Sequence, residues 1–135
     1  MATRTAFLSK LIGLYALIFG ICMLVNRDGT IAAVAGFARD PALVLVCGVF
    51  ALGVGLAMIL GHNRWSGGVL PIVVTVIGWL SLIKGVVLLF VSPAAFATYM
   101  QSLHYEQAFY IYAAVTLLVG AYLTYGGFSL GRRVA

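Results

Sequence analysis

Four apolar runs punctuate the chain: Leu8 to Val25, Ala42 to Leu60, Leu70 to Val91 and Ala108 to Phe128. A hydrocarbon core of about 30 Å takes roughly 17 to 25 apolar helical residues, so each run is long enough to cross it once. None alternates apolar and polar positions as a barrel strand does, and backbone amides in lipid must be satisfied within their own segment, which leaves helices. The pattern predicts an all-α integral membrane protein, a four-helix transmembrane bundle.

The connections after the first and third runs carry a second pattern. Ile31, Val34, Ala35 and Ala38, and again Phe96, Tyr99, Met100 and Leu103, stand at i, i+3, i+4 and i+7, the stripe of an amphipathic helix. A short interfacial helix lying on the membrane surface is expected in each of these two outer loops, with an irregular loop as the alternative. Asp40-Pro41 and Ser92-Pro93 have the form of helix starts, a side-chain oxygen for the orphan amides followed by a proline that has no amide to lose.

Laid against itself at an offset of 65, the chain matches without a gap. Ile12-Gly13 falls on Ile77-Gly78, Leu17-Ile18 on Leu82-Ile83, Gly20 on Gly85 and Leu24 on Leu89; further on, Leu52 meets Leu117, Val54 meets Val119, Gly55 meets Gly120 and Gly61 meets Gly126. Aligned glycines in one register point to tandem duplication of a two-helix unit, residues 1–65 and 66–135. An even number of spans gives both halves the same orientation, so a pseudo-twofold axis along the membrane normal is expected.

Small residues mark where such helices approach one another, because lipid tails offer no solvent for apolar groups to escape from. One seam recurs in every span: Gly13, Ala16, Gly20; Gly48, Ala51, Gly55; Gly78, Ser81, Gly85; and Ala113, Thr116, Gly120. Steps of three and four keep each seam on one face, at the period of a left-handed bundle. Helix packing is the expected role, a pore lining the alternative.

Composition agrees with a membrane solvent. Of 135 residues, 64% are hydrophobic and 8% charged, and mean hydropathy is +1.14, where a soluble domain carries about 25% charged residues. The net charge of +5 is dispersed and forms no nucleic-acid patch. It reads instead as topology: Arg4, Lys10, Arg64, Arg132 and Arg133 fall at one side of the spans, while Arg27, Arg39 and all three acids, Asp28, Asp40 and Glu106, fall at the other. Basic flanks stay cytoplasmic, which puts both termini inside. Arg4 and Lys10 before an apolar run resemble a signal peptide, but Ala33-Val34-Ala35 lies too far beyond the run to be its cleavage site. The first span is expected to be retained.

Lys84 is the one charge deep inside a span, about 20 Å from the cytoplasmic end and about 10 Å from the outer end at roughly 1.5 Å per residue. A central lysine costs about 2.5 to 3.5 kcal/mol and usually faces protein or water. Three readings stand: an anion or lipid-headgroup contact, with Ser81 beside it; a stem that snorkels to the outer headgroups; and a structural bond to Glu106 or a carbonyl. His62, Asn63, Arg64 and Trp65 read as an interfacial anchor. His104 and Glu106 read the same way, since two groups fall short of the three protein ligands of a zinc site. Cys22 and Cys47 read as packing thiols, with a disulfide as the alternative.

No nucleotide loop, nucleophile elbow, membrane carboxylate pair or His-rich helix occurs in the sequence. No catalytic residue, cofactor or metal is therefore expected. Ile77-Gly78-Trp79-Leu80 through Lys84-Gly85, Gly61-His62-Asn63 followed by Trp65, and the opening Leu11-Ile12-Gly13-Leu14-Tyr15 resemble signatures of small bacterial four-span membrane proteins of uncharacterised function. The resemblance implies a bacterial inner membrane and transfers no activity or substrate. The reading that needs least chemistry is a structural or accessory membrane protein, in contact with lipid and associating with itself or a larger complex through its small-residue faces. Its rivals are a small oligomeric channel or transporter for anions built on Lys84, and a lipid-binding or lipid-modifying protein.

Overall fold

The computed structural model describes residues 2–134, with side chains over 3–132; the Arg133 side chain lies outside the described residues. Six helices follow in order: α1 (Ala2–Val25), α2 (Arg27–Arg39), α3 (Pro41–Gly61), α4 (Val69–Phe90), α5 (Pro93–Ser102) and α6 (Phe109–Val134). Four of them, α1, α3, α4 and α6, are long and apolar enough to cross a membrane. The chain is an all-α membrane bundle, and α2 and α5 occupy the two connections where short helices are expected.

The helix starts have the local chemistry anticipated from the two X-Pro pairs. Asp40 sits in extended backbone, and its Oδ1 accepts from the amides of Ala42 at 2.9 Å and Leu43 at 3.2 Å. Ser92 does the same for Ala95 at 3.3 Å, with Pro93 as the first helical residue of α5. Between α3 and α4 the chain turns through Gly67 and Gly68, whose φ angles of 96° and 110° lie where a Cβ is disfavoured.

Two compact units result, and each takes one long helix from either half of the sequence. The first unit comprises residues 1–27, 64–75 and 110–135, so α1 packs on α6. Gly13 faces Gly120 and Thr124, and Gly20 faces Leu117; the opposed order of the numbers makes the pair antiparallel. The second unit comprises residues 28–63 and 76–109. Here α3 packs on α4, with Gly55 against Leu82, Gly85 against Leu52, Gly48 against Leu88 and Leu89, and Gly78 against Met58.

The same contacts occur in both units at positions 65 apart. Gly20 with Leu117 corresponds to Gly85 with Leu52, and Gly120 with Leu17 corresponds to Gly55 with Leu82. Burial follows: Val44, Gly48, Gly55 and Met58 of α3 are buried, as are Phe109, Ala113, Gly120 and Leu123 of α6. All four seams are thus used inside the units, two by two. Ala16 lies 3.1 Å from where a Gly120 side chain would begin, Ala51 accepts a hydrogen bond from Ser81, and Thr116 bonds back to the Tyr112 carbonyl of its own helix at 2.8 Å.

The short helices complete the second unit. Phe96 of α5 is buried with Val44 and Leu88 at the ends of α3 and α4, and Phe37 of α2 meets it edge-on with ring centroids 5.6 Å apart.

Candidate functional site

Lys84 lies six residues before the end of α4 at Phe90, about 9 Å along the axis at roughly 1.5 Å per residue. It is exposed, and so are its neighbours on that face, Val76, Leu80, Ile83, Val87 and Phe90. Gly85, the next residue, is turned into the seam against Leu52. Among the described residues Lys84 makes no hydrogen bond or ion pair, so the bond to Glu106 or a carbonyl does not form. Ser81 is no companion to it either, because its hydroxyl donates to the Ala51 carbonyl of α3 at 3.1 Å. The result is a single cation set in an outward apolar face.

The segment after α3 divides rather than acting as one anchor. His62 is buried and caps α3, its amide donating to the Met58 carbonyl at 2.6 Å. The Asn63 side-chain oxygen lies 3.5 Å from the indole nitrogen of Trp79. Arg64 is held through its backbone, whose amide donates to Thr75 Oγ1 at 2.9 Å and whose carbonyl accepts from it at 3.0 Å. Trp65 is exposed, as is Asn63. Cys22 and Cys47 are free thiols exposed on helix surfaces instead of packed within them.

His104 and Glu106 share a cavity of about 330 Å³ with the α2 stripe Ile31, Val34, Ala35 and Ala38. The amphipathic face of α2 therefore lines a cavity within the second unit. His104 is the one described non-glycine residue at positive φ, 46°. It ends α5: its imidazole Nδ1 is 2.8 Å from the Ser102 carbonyl oxygen, and its own carbonyl accepts from the amides of Gln107 and Ala108 at 2.9 and 3.0 Å. Histidine tolerates this region better than most side chains, and residues held there cluster at binding sites. Among the described residues no third His, Cys, Asp or Glu joins His104 and Glu106.

Sequence reasoning missed the end of the first unit around Lys10. Gly127 lies against the backbone of Lys10, and Gly131 against its amine, which sits 4.7 Å from the centre of the Phe128 ring. Lys10 thus packs between α1 and α6. Its signal was present, since Gly127 follows Gly120 by seven residues and continues the seam. No protein-family model, curated protein or solved structure matches the chain.

Proposed function

We propose that this integral membrane protein is structural or accessory, associating with itself or with a larger membrane complex. The observation that carries the reading is Lys84, an exposed cation without a polar partner among the described residues, in an apolar helix face. Burying such a charge in lipid costs about 2.5 to 3.5 kcal/mol, and the four spans contain no acid to offset it. Two copies meeting through this face would also bring lysine to lysine, so the face fits a partner span that supplies a carboxylate or a polar groove. The glycine seams, filled within the units, leave this face as the contact surface in place of the small-residue faces.

The halves 1–65 and 66–135 are read as copies of one two-helix unit, supported by contacts and buried positions that recur 65 residues apart. Both termini are cytoplasmic, on the strength of Arg4, Lys10, Arg64 and Arg132 at one end of the spans, and the resemblance to small bacterial four-span proteins makes the membrane the bacterial inner one. No enzymatic step is assigned.

Native mass spectrometry of the complex extracted from its own membrane in mild detergent tests the reading. A stoichiometric second subunit, lost in Lys84→Leu, is the expected result; a bare monomer from wild type overturns it. The second reading, a small oligomeric anion channel, rests on the same exposed lysine lining a path between copies. It predicts a homo-oligomer whose assembly survives Lys84→Leu while anion flux into liposomes is lost.

A further inference from the structure

The cavity beside His104 has a neighbour. A second cavity, about 440 Å³, opens in the same unit between the first turn of α3, at Val44 and Leu45, and the last turn of α4, at Leu88 and Leu89. Ala38, Arg39 and Ala97 line both. Each volume falls within the roughly 300 to 1,000 Å³ of small-molecule sites. They differ in chemistry. The second cavity is lined mostly by apolar residues at the start of α3 and the end of α4, two helices apolar enough to cross a membrane, with Arg39 its one charged group. The first lies beyond those ends, among α2, α5 and the following loop, and adds Gln101, His104, Tyr105, Glu106 and Gln107. Polar groups of this kind suit a lipid headgroup.

Two opposite charges in the first cavity, Arg39 and Glu106, are exposed, and neither makes an ion pair among the described residues. The nearest acid in sequence, Asp40, already accepts from two amides at the start of α3, and Ser92 accepts from one at the start of α5. A phosphate arriving where the cavities join therefore finds the Arg39 guanidinium as its donor, in a planar fork suited to phosphate oxygens. The Glu106 carboxylate, in the headgroup cavity, suits a cationic amine and opposes a purely anionic group. Backbone strain at His104 falls on the wall of this same cavity.

We propose that the two cavities form one binding site for an amine-bearing zwitterionic phospholipid of the phosphatidylethanolamine type. Its phosphate meets Arg39, its ammonium meets Glu106, and an acyl chain fills the cavity between α3 and α4. The site is independent of the reading of Lys84.

The test is native mass spectrometry of the full chain in detergent with equimolar phosphatidylethanolamine, phosphatidylcholine and phosphatidylglycerol of identical acyl chains. Wild type should retain one phosphatidylethanolamine in preference to the other two. Arg39→Gln should lower that retention about tenfold or more. Glu106→Gln should remove the preference over phosphatidylcholine while leaving retention itself, and Ala97→Phe, which fills the shared wall, should weaken all three lipids. Glycerophosphoethanolamine in excess, which carries the headgroup without acyl chains, should not displace the lipid. Equal retention of the three lipids by wild type, unchanged retention in Arg39→Gln, or displacement by the headgroup alone overturns the proposal. Arg39 and Glu106 are exposed, so their variants carry the test even if Ala97→Phe fails to fold.

Discussion

The backbone of Leu52 occupies the space into which any side chain on Gly85 would grow. Its counterpart 65 positions away differs in one respect: what faces Gly20 most closely is the side chain of Leu117, 2.7 Å from an added Cβ, with the backbone at 3.5 Å. A side chain can turn and a helix backbone cannot. Gly85→Ala should therefore destabilise the protein by about 1 to 3 kcal/mol, the cost of overpacking, and Gly20→Ala by less. Gly53, with nothing within 4 Å, is the control, and Gly53→Ala should cause no loss. Unfolding in mixed detergent micelles with rising SDS ranks the three.

Thr75 is buried, and its hydroxyl both donates to and accepts from the Arg64 backbone. Thr75→Val keeps the shape and leaves the Arg64 amide and carbonyl without that partner, at a cost of about 1 to 3 kcal/mol. Hydrogen exchange at the Arg64 amide should accelerate in Thr75→Val and stay slow in Thr75→Ser.

Asp40 caps α3 with two amide contacts. Asp40→Ala should cost about 0.5 to 2 kcal/mol, whereas Asp40→Asn should retain most of the cap. Exchange at the Ala42 and Leu43 amides, measured in micelles, reports the loss directly.

Lys84 should behave in opposite senses in two assays. In the purified, isolated chain Lys84→Leu removes a charge from an apolar face and should raise resistance to SDS, by no more than about 2.5 to 3.5 kcal/mol. In the native membrane the same change should release the partner subunit. A lysine that only snorkels gives the first effect without the second.

The spans, the two short helices and their caps were legible because each rests on local signals: run length, a four-position stripe, an acid or serine before proline. Which helix packs on which was not legible. All four spans carry small residues at one spacing, and such a seam has no label for its mate, so the pairing of α1 with α6 and of α3 with α4 comes from the fold alone. The burial of His62 was not legible for a related reason: a polar residue after an apolar run marks an end, and nothing in it says whether the side chain turns outward or, as here, is buried. The stripe of α2 announced an apolar face without announcing that Arg39 and Glu106 share the cavity it lines, because Glu106 is brought there by the turn after α5.

The pairing of the first long helix with the last has a consequence for biogenesis. As the chain leaves the ribosome, α3 and α4 follow each other and can close their hairpin as soon as both are inserted. The mate of α1 is made after α3 and α4, on the order of 10 s later at roughly 5 to 20 residues per second. Until then Gly13 and Gly20 lack the helix that covers them in the finished protein. A chain halted before Phe109 would display that open groove indefinitely, giving insertion chaperones and membrane proteases a physical mark by which to tell an unfinished copy from a complete one.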